Sequence, residues 1–195
     1  MKLKKDFYLQ TDVVSVAREL LGKYLFTRFR EGVTGGIITE TEAYKGINDR
    51  ASHAYNNRRT DRTATMFRKG GICYIYLCYG IHHLFNIVTN RKDIPDAILI
   101  RGLLPAEGID LMQSRASFPV GGSGMITGPG RVSKVLGITT AYNGEDITAN
   151  KIWIEERGIE VKSEEIDTDR RIGVDYAGED SSLPYRFIWR GAGRR

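Results

Sequence analysis

The stretch Gly71-Ile-Cys-Tyr-Ile-Tyr-Leu-Cys-Tyr-Gly80, followed by residues 81–89 (IHHLFNIVT), decides the fold of this chain. Both halves are apolar and rich in β-forming residues, and Tyr79-Gly80 separates them, so we predict a β-hairpin that turns there. Alternation along the first half places Tyr74 and Tyr76 on one face. An aromatic face of this kind usually packs in a core, but beside basic residues it also suits stacking on an unpaired base.

Patterns on either side of the hairpin predict a mixed fold. Apolar residues at helical spacing indicate helices over 13–21, 106–116 and 131–136, with Pro105 as the first residue of the second helix. Strands are predicted over 24–30, 35–44, 97–104, 152–156 and 185–190. Because strands and helices do not alternate strictly, we expect the α+β class, with one compact domain over residues 1–195.

Composition and charge exclude some classes of protein. The chain has 195 residues, of which 41% are hydrophobic and 27% are charged, which excludes a largely disordered protein. The net charge is +5, and all of the excess lies in residues 1–100, where 16 basic residues face 10 acidic ones. Much of it falls in a weakly periodic stretch, residues 50–70, which indicates a polyanionic partner or simply an arginine-rich surface. No apolar run is long enough to span a membrane, so we expect a cytoplasmic protein with no membrane partner.

Candidate chemistry lies at the end of the strand predicted over 35–44. Alternation puts Glu40, Glu42 and Tyr44 on one face, where one carboxylate could activate water or both could form a solvated edge. Tyr79, near the hairpin turn, could be a wedge pushed into a base stack or could pack locally. The three histidines lack the paired spacing of a zinc site, and the glycine-rich segment 121–130 lacks the Lys-Ser/Thr of a phosphate loop, so neither a metal nor a cofactor is predicted.

Taken together, these segments resemble the alkyladenine (3-methyladenine) DNA glycosylase family. The matching blocks run in family order from about residue 12 to residue 191, and their combination is far more specific than any one of them. They are Ile38–Gly46 (ITETEAYKG), 51–54 (ASHA), Met66-Phe67, 74–80 (YIYLCYG), Asn86, 99–105 (LIRGLLP), 128–130 (GPG) and 171–174 (RIGV). Two positions depart from the family pattern, Ile47 in place of a frequent proline and Thr63 in place of a frequent asparagine.

The resemblance implies a role for each matching residue. Glu42 corresponds to the general base that activates water for attack on the sugar C1′, and Arg101 to a residue near that water. The flipped base would be held by Tyr44, His53, Tyr76, Asn86 and Val174, with Asn86 disfavouring ordinary guanine. Tyr79, on a hairpin protruding from a curved, mostly antiparallel sheet flanked by helices, would insert into DNA and fill the gap. The basic residues expected to contact DNA are Arg58, Arg59, Arg62 and Arg131.

The function that the resemblance implies is excision of alkylated or deaminated purines from double-stranded DNA, with a monomeric, cofactor-free enzyme in the cytoplasm, or at the nucleoid in a bacterium. A lysine nucleophile would form a Schiff base and cleave the strand. Since the only lysine in the matched pocket motifs is Lys45, which alternation turns away, we expect a monofunctional glycosylase that leaves an abasic site. Two alternatives are a non-enzymatic nucleic-acid-binding protein with an aromatic base-stacking surface and a metal-dependent nuclease. The preferred damaged base and the role of the acidic segment 155–169 stay open.

Overall fold

Antiparallel pairing joins the strands of this chain into one curled sheet in the computed structural model, which describes residues 1–122 and 124–194. The nine strands of this described part are β1 Tyr24–Phe29, β2 Gly32–Tyr44, β3 Ile72–Cys78, β4 His82–Thr89, β5 Asp96–Glu107, β6 Ile126–Thr127, β7 Ile152–Glu155, β8 Ile166–Asp169 and β9 Arg186–Trp189. The main order is β3-β4-β5-β2-β1-β7, with β6 beside β5 and with β9, which carries β8, beside β2.

Three α-helices and several 3₁₀ helices surround the sheet within the same ranges. The α-helices are α1 Val13–Glu19, α2 Ile109–Arg115 and α3 Pro129–Leu136. The 3₁₀ helices are Lys5–Leu9, Gly46–Asn48, Tyr55–Asn57, Ala64–Phe67, Thr140–Tyr142, Ser163–Glu165, Asp175–Ser182 and Arg190–Arg194. The prediction of a single α+β domain with a curved antiparallel sheet is therefore confirmed. None of the helices in the described ranges has the length and apolar character needed to cross a membrane.

The two faces of the sheet bury different clusters. On β3, Cys73 belongs to the main core, whereas the next residue, Tyr74, belongs to a smaller cluster with Met66 and Phe67. The same alternation on β5 sends Ile98 into the main core and the preceding alanine into the smaller cluster, because successive side chains of a strand point to opposite faces. One face of the sheet thus supports the helices, while the other carries residues 45–70.

The hairpin that decides the fold forms as predicted. β3 and β4 pair from Ile72↔Val88 to Cys78↔His82, and the amide of Ile81 donates to the carbonyl of Cys78 at 3.1 Å. Tyr79 and Gly80, the two central residues of this turn, both have positive φ, 51° and 74°. A type I′ turn requires positive φ at both positions, and its twist matches that of the flanking strands.

The prediction that Pro105 is the first residue of a helix is wrong. Pro105 lies inside β5, where it pairs with Gly36 next to a register shift between Gly35 and Gly36. A proline has no N–H for the ladder, and such irregular positions accommodate it. Helix α2 starts four residues later, at Ile109, after Gly108 in the left-handed conformation. The strands β6 and β8 were also not predicted. β8 lies in the acidic segment 155–169, where Asp169 pairs with Arg186 of β9.

Candidate active site

A cavity of about 170 Å³ opens on the face of the sheet that carries residues 45–70. The strands contribute alternate residues of one face, and two loops, around residues 51–53 and 172–176, close its sides. Its lining is Tyr44, Ala51, Ser52, His53, Met66, Tyr74, Tyr76, Cys78, Tyr79, Leu84, Asn86, Ala97, Leu99, Arg101, Ile172, Gly173, Val174 and Tyr176. The structure therefore brings all the base-pocket residues predicted from the sequence, together with Tyr79 and Arg101, around one cavity.

Glu42 lies behind the lining of this cavity and is fully buried. Its Oε2 accepts a hydrogen bond from the Tyr44 hydroxyl at 2.7 Å, and its Oε1 accepts one from the Ile172 amide at 2.8 Å. Tyr44 and Ile172 both line the cavity, so Glu42 is one side chain away from it. An ionised carboxylate has about four lone-pair sites, and the contacts with Tyr44, Ile172 and Arg101 occupy about three of them.

Opposing influences act on the pKa of Glu42. Burial is the largest influence and raises this pKa above its usual value, because a charged carboxylate loses hydration. The charge of Arg101 and the hydrogen bonds from Ile172 and Tyr44 lower it, since each favours the ionised form. The pKa of the Tyr44 phenol is raised well above its usual value, first by burial and then by the neighbouring Glu42 charge. Tyr44 therefore stays a hydrogen-bond donor to the carboxylate.

Two carboxylates share Arg101. Its Nε lies 3.1 Å from Oε1 of Glu40 and 3.3 Å from Oε1 of Glu42. Arg186 also contacts Glu40, and its Nη1 lies 3.1 Å from the same oxygen. These residues confirm that Glu40 and Glu42 share one face of β2, although the register shifts on both sides of Glu40. The pair is a buried charge network rather than a solvated strand edge.

Three aromatic rings pack together to form one wall of the cavity. The centroid of the His53 ring lies 4.6 Å from that of Tyr76 in an edge-to-face arrangement, and the ring of Tyr74 lies 5.5 Å from Tyr76. Nδ1 of His53 is 2.8 Å from the Tyr74 hydroxyl. Burial, with the charges of Arg62 and Arg58, lowers the pKa of His53 to about 4. The imidazole is therefore neutral at physiological pH, and the wall carries no charge of its own.

Asn86 and Val174 close the cavity with short, fixed side chains. Nδ2 of Asn86 donates to the backbone carbonyls of Tyr74 and Leu84, at 3.2 and 3.3 Å, which immobilises the carboxamide. Because both bonds use the amide nitrogen, the carbonyl oxygen is the group left to face a ligand. Val174 is buried in a small cluster with Ala51 and Ala177, and the ring of Tyr44 packs against that cluster.

The basic residues predicted to contact DNA do not form one group. Arg58 and Arg62 line a second cavity of about 480 Å³ that shares Ser52, His53 and Tyr176 with the first. Arg59 instead stacks on Phe67, 3.9 Å from its ring centroid, and pairs with Asp93 at 3.0 Å. Arg131 is exposed at the start of α3 and stacks on Phe118. Tyr79 is 90% exposed at the hairpin turn, beside the first cavity.

The sequence did not predict the roles of several residues at the site. The amide of Ile172 that binds Glu42 belongs to the quoted 171–174 block, but nothing in the pattern indicates its partner. Asp49 had no sequence signal, yet it forms a buried ion pair with Arg171 under the site. Tyr176 lines both cavities and donates from its hydroxyl to the Ala51 carbonyl at 3.0 Å. In the described part of the chain, no group of three or more His, Cys, Asp or Glu residues has an arrangement suited to a metal ion.

Comparison with known proteins identifies the family of this chain. A sequence model of the methylpurine-DNA glycosylase family matches residues 6–193. A protein of Chlamydia abortus that is provisionally named 3-methyladenine DNA glycosylase is 45% identical over 95% of this chain and 97% of its own. Proteins of Chlamydia felis and Desulfitobacterium hafniense with the same provisional name are 44% and 38% identical, each over 95% of this chain and over 95% and 94% of their own. The chain therefore belongs to the methylpurine-DNA glycosylase family.

Proposed function

We propose that this protein is a monofunctional glycosylase that hydrolyses the N-glycosidic bond of alkylated or deaminated purine nucleotides in duplex DNA. The observation that carries the proposal is the position of Glu42, a buried carboxylate hydrogen-bonded by Tyr44 and Ile172 immediately behind an aromatic cavity. Departure of a base leaves positive charge on the sugar, which a nearby carboxylate stabilises. The same carboxylate can orient and deprotonate the attacking water.

Arg101 positions this carboxylate. Its Nε lies within 3.3 Å of Glu42, so the guanidinium favours the ionised form that a general base needs. Burial acts in the opposite direction and keeps the carboxylate basic. A general base works best when its pKa is close to the operating pH. We therefore assign Glu42 as the base and Arg101 as the group that holds it and its water in register.

The cavity itself is suited to a purine base. Tyr44, His53 and Tyr76 provide aromatic surfaces, and stacking against such surfaces accepts several damaged bases because it reads shape and charge more than hydrogen-bond pattern. The immobilised Asn86 and the buried Val174 limit which purine edges fit. A base inside a duplex cannot reach such a cavity, so the nucleotide must be extruded, at a cost of a few kcal/mol. Tyr79, exposed on the hairpin beside the cavity, would fill the gap.

The partner is double-stranded DNA, bound by a single copy of the chain. Arg58 and Arg62 line the second cavity next to the base pocket, and their charge suits the phosphates that flank an extruded nucleotide. Both cavities are built from one chain, so we propose a monomer. The residues that line the base cavity include no lysine in the described part of the chain, which favours water over an amine as the nucleophile. In a bacterium such an enzyme would act in the cytoplasm, at the nucleoid.

The test is single-turnover excision from duplexes that carry 3-methyladenine, 7-methylguanine, hypoxanthine or ethenoadenine. The wild type should release at least one of these bases and leave an abasic site that is cut only by alkali or heat. Glu42→Gln should lose on the order of 10²-fold or more in rate while still binding the lesion. Strand cleavage without alkali, or trapping of the enzyme on DNA by borohydride, would disprove a monofunctional mechanism.

A non-enzymatic nucleic-acid-binding protein is the second candidate function. It would use the same arginines and aromatic rings but has no need of a buried carboxylate behind them. This candidate predicts lesion binding without base release by the wild type. Reactions in EDTA separate the proposal from a metal-dependent nuclease, because a hydrolytic glycosylase should keep its full rate there while such a nuclease loses activity.

A further inference from the structure

A positive charge lies against the uncharged aromatic wall of the base cavity. The guanidinium of Arg62 lies over the ring of Tyr76, 4.7 Å from its centroid. Its Nη2 is 3.4 Å from Nε2 of His53, and it also hydrogen-bonds the Tyr74 hydroxyl. Arg62 thus touches all three rings of this wall while belonging to the neighbouring, basic cavity. A base that stacks on Tyr76 must come close to this charge.

The charge of Arg62 is not paired with a carboxylate, in contrast to that of the arginine beside Tyr44. Arg171 lies 4.8 Å from the ring centroid of Tyr44, but both of its Nη groups bind the carboxylate of Asp49. No carboxylate lies within ion-pair distance of Arg62 in residues 1–122 and 124–194. Of these two arginines, Arg62 is therefore the one whose charge is not paired with a carboxylate.

A cation over an aromatic ring is attracted by the negative potential of the ring face. A guanidinium that already lies over the ring therefore reduces the attraction of that ring for a second cation. A neutral purine that stacks on Tyr76 does not feel a net repulsion, whereas a cationic one does. The same direction of effect acts on His53, whose pKa is lowered to about 4 mainly by burial and further by the charges of Arg62 and Arg58. The same field that disfavours a protonated imidazole at this wall would disfavour any other cation there.

We propose that Arg62 is a specificity-determining residue that weakens the preference of the pocket for cationic N-alkylpurines relative to neutral purines such as hypoxanthine and ethenoadenine. This inference rests on the proposed function. Stacking at ordinary van der Waals distance on Tyr76 would leave a bound base ~8 Å or less from the guanidinium, where two unit charges still interact appreciably at the effective dielectric of a protein surface. The expected discrimination is about tenfold at moderate salt.

The test compares two duplexes that differ only in the lesion, hypoxanthine or 7-methylguanine, below neutral pH where the methylated guanine is cationic. Single-turnover excision is measured as a function of enzyme concentration, and the efficiency for 7-methylguanine is divided by that for hypoxanthine. Arg62→Gln should raise this ratio about tenfold, whatever it does to DNA affinity, because loss of a phosphate contact affects both duplexes equally. Arg62→Lys, which keeps the charge, should leave the ratio near that of the wild type.

Arg59→Gln is the matched control. It removes the same charge from the same stretch of chain, but Arg59 stacks on Phe67 and pairs with Asp93, away from the cavity. It should lower both efficiencies together or neither, and leave their ratio unchanged. A ratio that does not respond to Arg62→Gln, or that responds as much to Arg59→Gln, overturns the inference while leaving the proposed function in place. If the wild type releases neither base nor any other lesion, the proposed function fails, and this inference fails with it.

Discussion

Both Nη groups of Arg171 donate to the carboxylate of Asp49, and at most 1% of either side chain is exposed. Nη1 also donates to the Ala43 carbonyl at 3.0 Å. Ala43 is the residue of β2 between Glu42 and Tyr44. The next residue, Ile172, donates its amide to Glu42. One buried ion pair therefore holds the loop 171–174 against the end of β2 and sets the hydrogen bond on the carboxylate.

We expect Asp49→Asn to destabilise the protein by about 3–5 kcal/mol, because it leaves the Arg171 charge buried without its partner. Base release should fall as well, since Ile172 is no longer held against Glu42. The free energy of unfolding is measured by urea denaturation, and excision is measured at a temperature where the variant is still folded.

Asp93→Asn provides the control for this prediction. Asp93 also pairs with an arginine, Arg59, but both side chains are more than half exposed. Exposed ion pairs contribute about 0–1 kcal/mol, so the loss should stay within that range. If Asp49→Asn cost no more than Asp93→Asn, the buried pair would not be what holds the loop.

Glu40 should control the pH dependence of excision. Its negative charge raises the pKa of Glu42, and it shares the Nε of Arg101 with that residue. Glu40→Gln removes the charge and leaves Arg101 to act on Glu42 alone, so the pKa of Glu42 falls. A base is active when ionised, and the acid limb of the pH–rate profile should therefore move to lower pH.

The profile is best measured by single-turnover excision of a neutral base, such as hypoxanthine, whose own charge does not change near the limb. Glu31→Gln is the matched variant, because Glu31 is a mostly exposed carboxylate that pairs with Arg115 at 3.5 Å and directly precedes β2, at the other end of that strand from Glu42. It should leave the limb in place. A limb that stays put in Glu40→Gln, or moves to higher pH, would contradict the shared-arginine arrangement.

Local pattern was sufficient to predict much of this fold, and its failures have physical causes. The strand from Ile72 to Cys78 was predictable because its side chains alternate between the main core and the face of the sheet that carries the site. β8 was not predictable from local sequence, because three of the four residues in IDTD are polar and the strand is defined by its pairing with β9. Pro105 follows an apolar run as a helix start often does, and only its long-range partner Gly36 distinguishes the two outcomes.

The same distinction between local and long-range contacts applies to the residues of the site. Glu42 and Tyr44 were identifiable because they are two residues apart on one strand, so that period 2 alone brings them together. Asp49 and Arg171 are 122 positions apart, and no local pattern indicates that they meet. The placement of Arg62 over Tyr76 likewise depends on how residues 45–70 fold across the sheet. Sequence pattern therefore identified the candidate catalytic residues, but not the charged residues that surround them.

Substitutions of Tyr79 should distinguish the effect of its backbone conformation on stability from the effect of its ring on excision. Its φ of 51° lies in the left-handed region, which costs a residue with a Cβ roughly 1–2 kcal/mol. Tyr79→Gly should thus be more stable than Tyr79→Ala by about 1 kcal/mol in urea denaturation. Both variants lose the exposed ring and should excise roughly 10- to 100-fold more slowly, because the gap left by the extruded nucleotide is no longer filled.

Ile81→Ala is the control at the same turn. Ile81 is 70% exposed and has no aromatic ring to stack between bases. It should reduce excision much less than Tyr79→Ala does. Equal losses for the two alanine variants would mean that general apolar contact at the turn, rather than the Tyr79 ring, supports extrusion.

His53 should make the folded protein sensitive to pH in one window. Its pKa is lowered from 6.5 to about 4 in the folded state, because it is buried and lies beside Arg62 and Arg58. Between these two values the unfolded chain binds a proton that the folded chain does not. The free energy of unfolding therefore falls as the pH is lowered from 6.5 towards 4, and above pH 6.5 the imidazole is neutral in both states and causes no such loss.

We expect His53→Gln to flatten the fall in the free energy of unfolding over this window. Urea denaturation of both proteins at several pH values between 4 and 7.5 measures it, and the difference between the two curves removes the carboxylates that titrate in both. His82→Gln, at an exposed position on β4, should leave the curve of the wild type unchanged. Parallel curves for the wild type and His53→Gln would show that the imidazole is not held neutral, and that the Arg62 charge does not act on the wall of the base cavity.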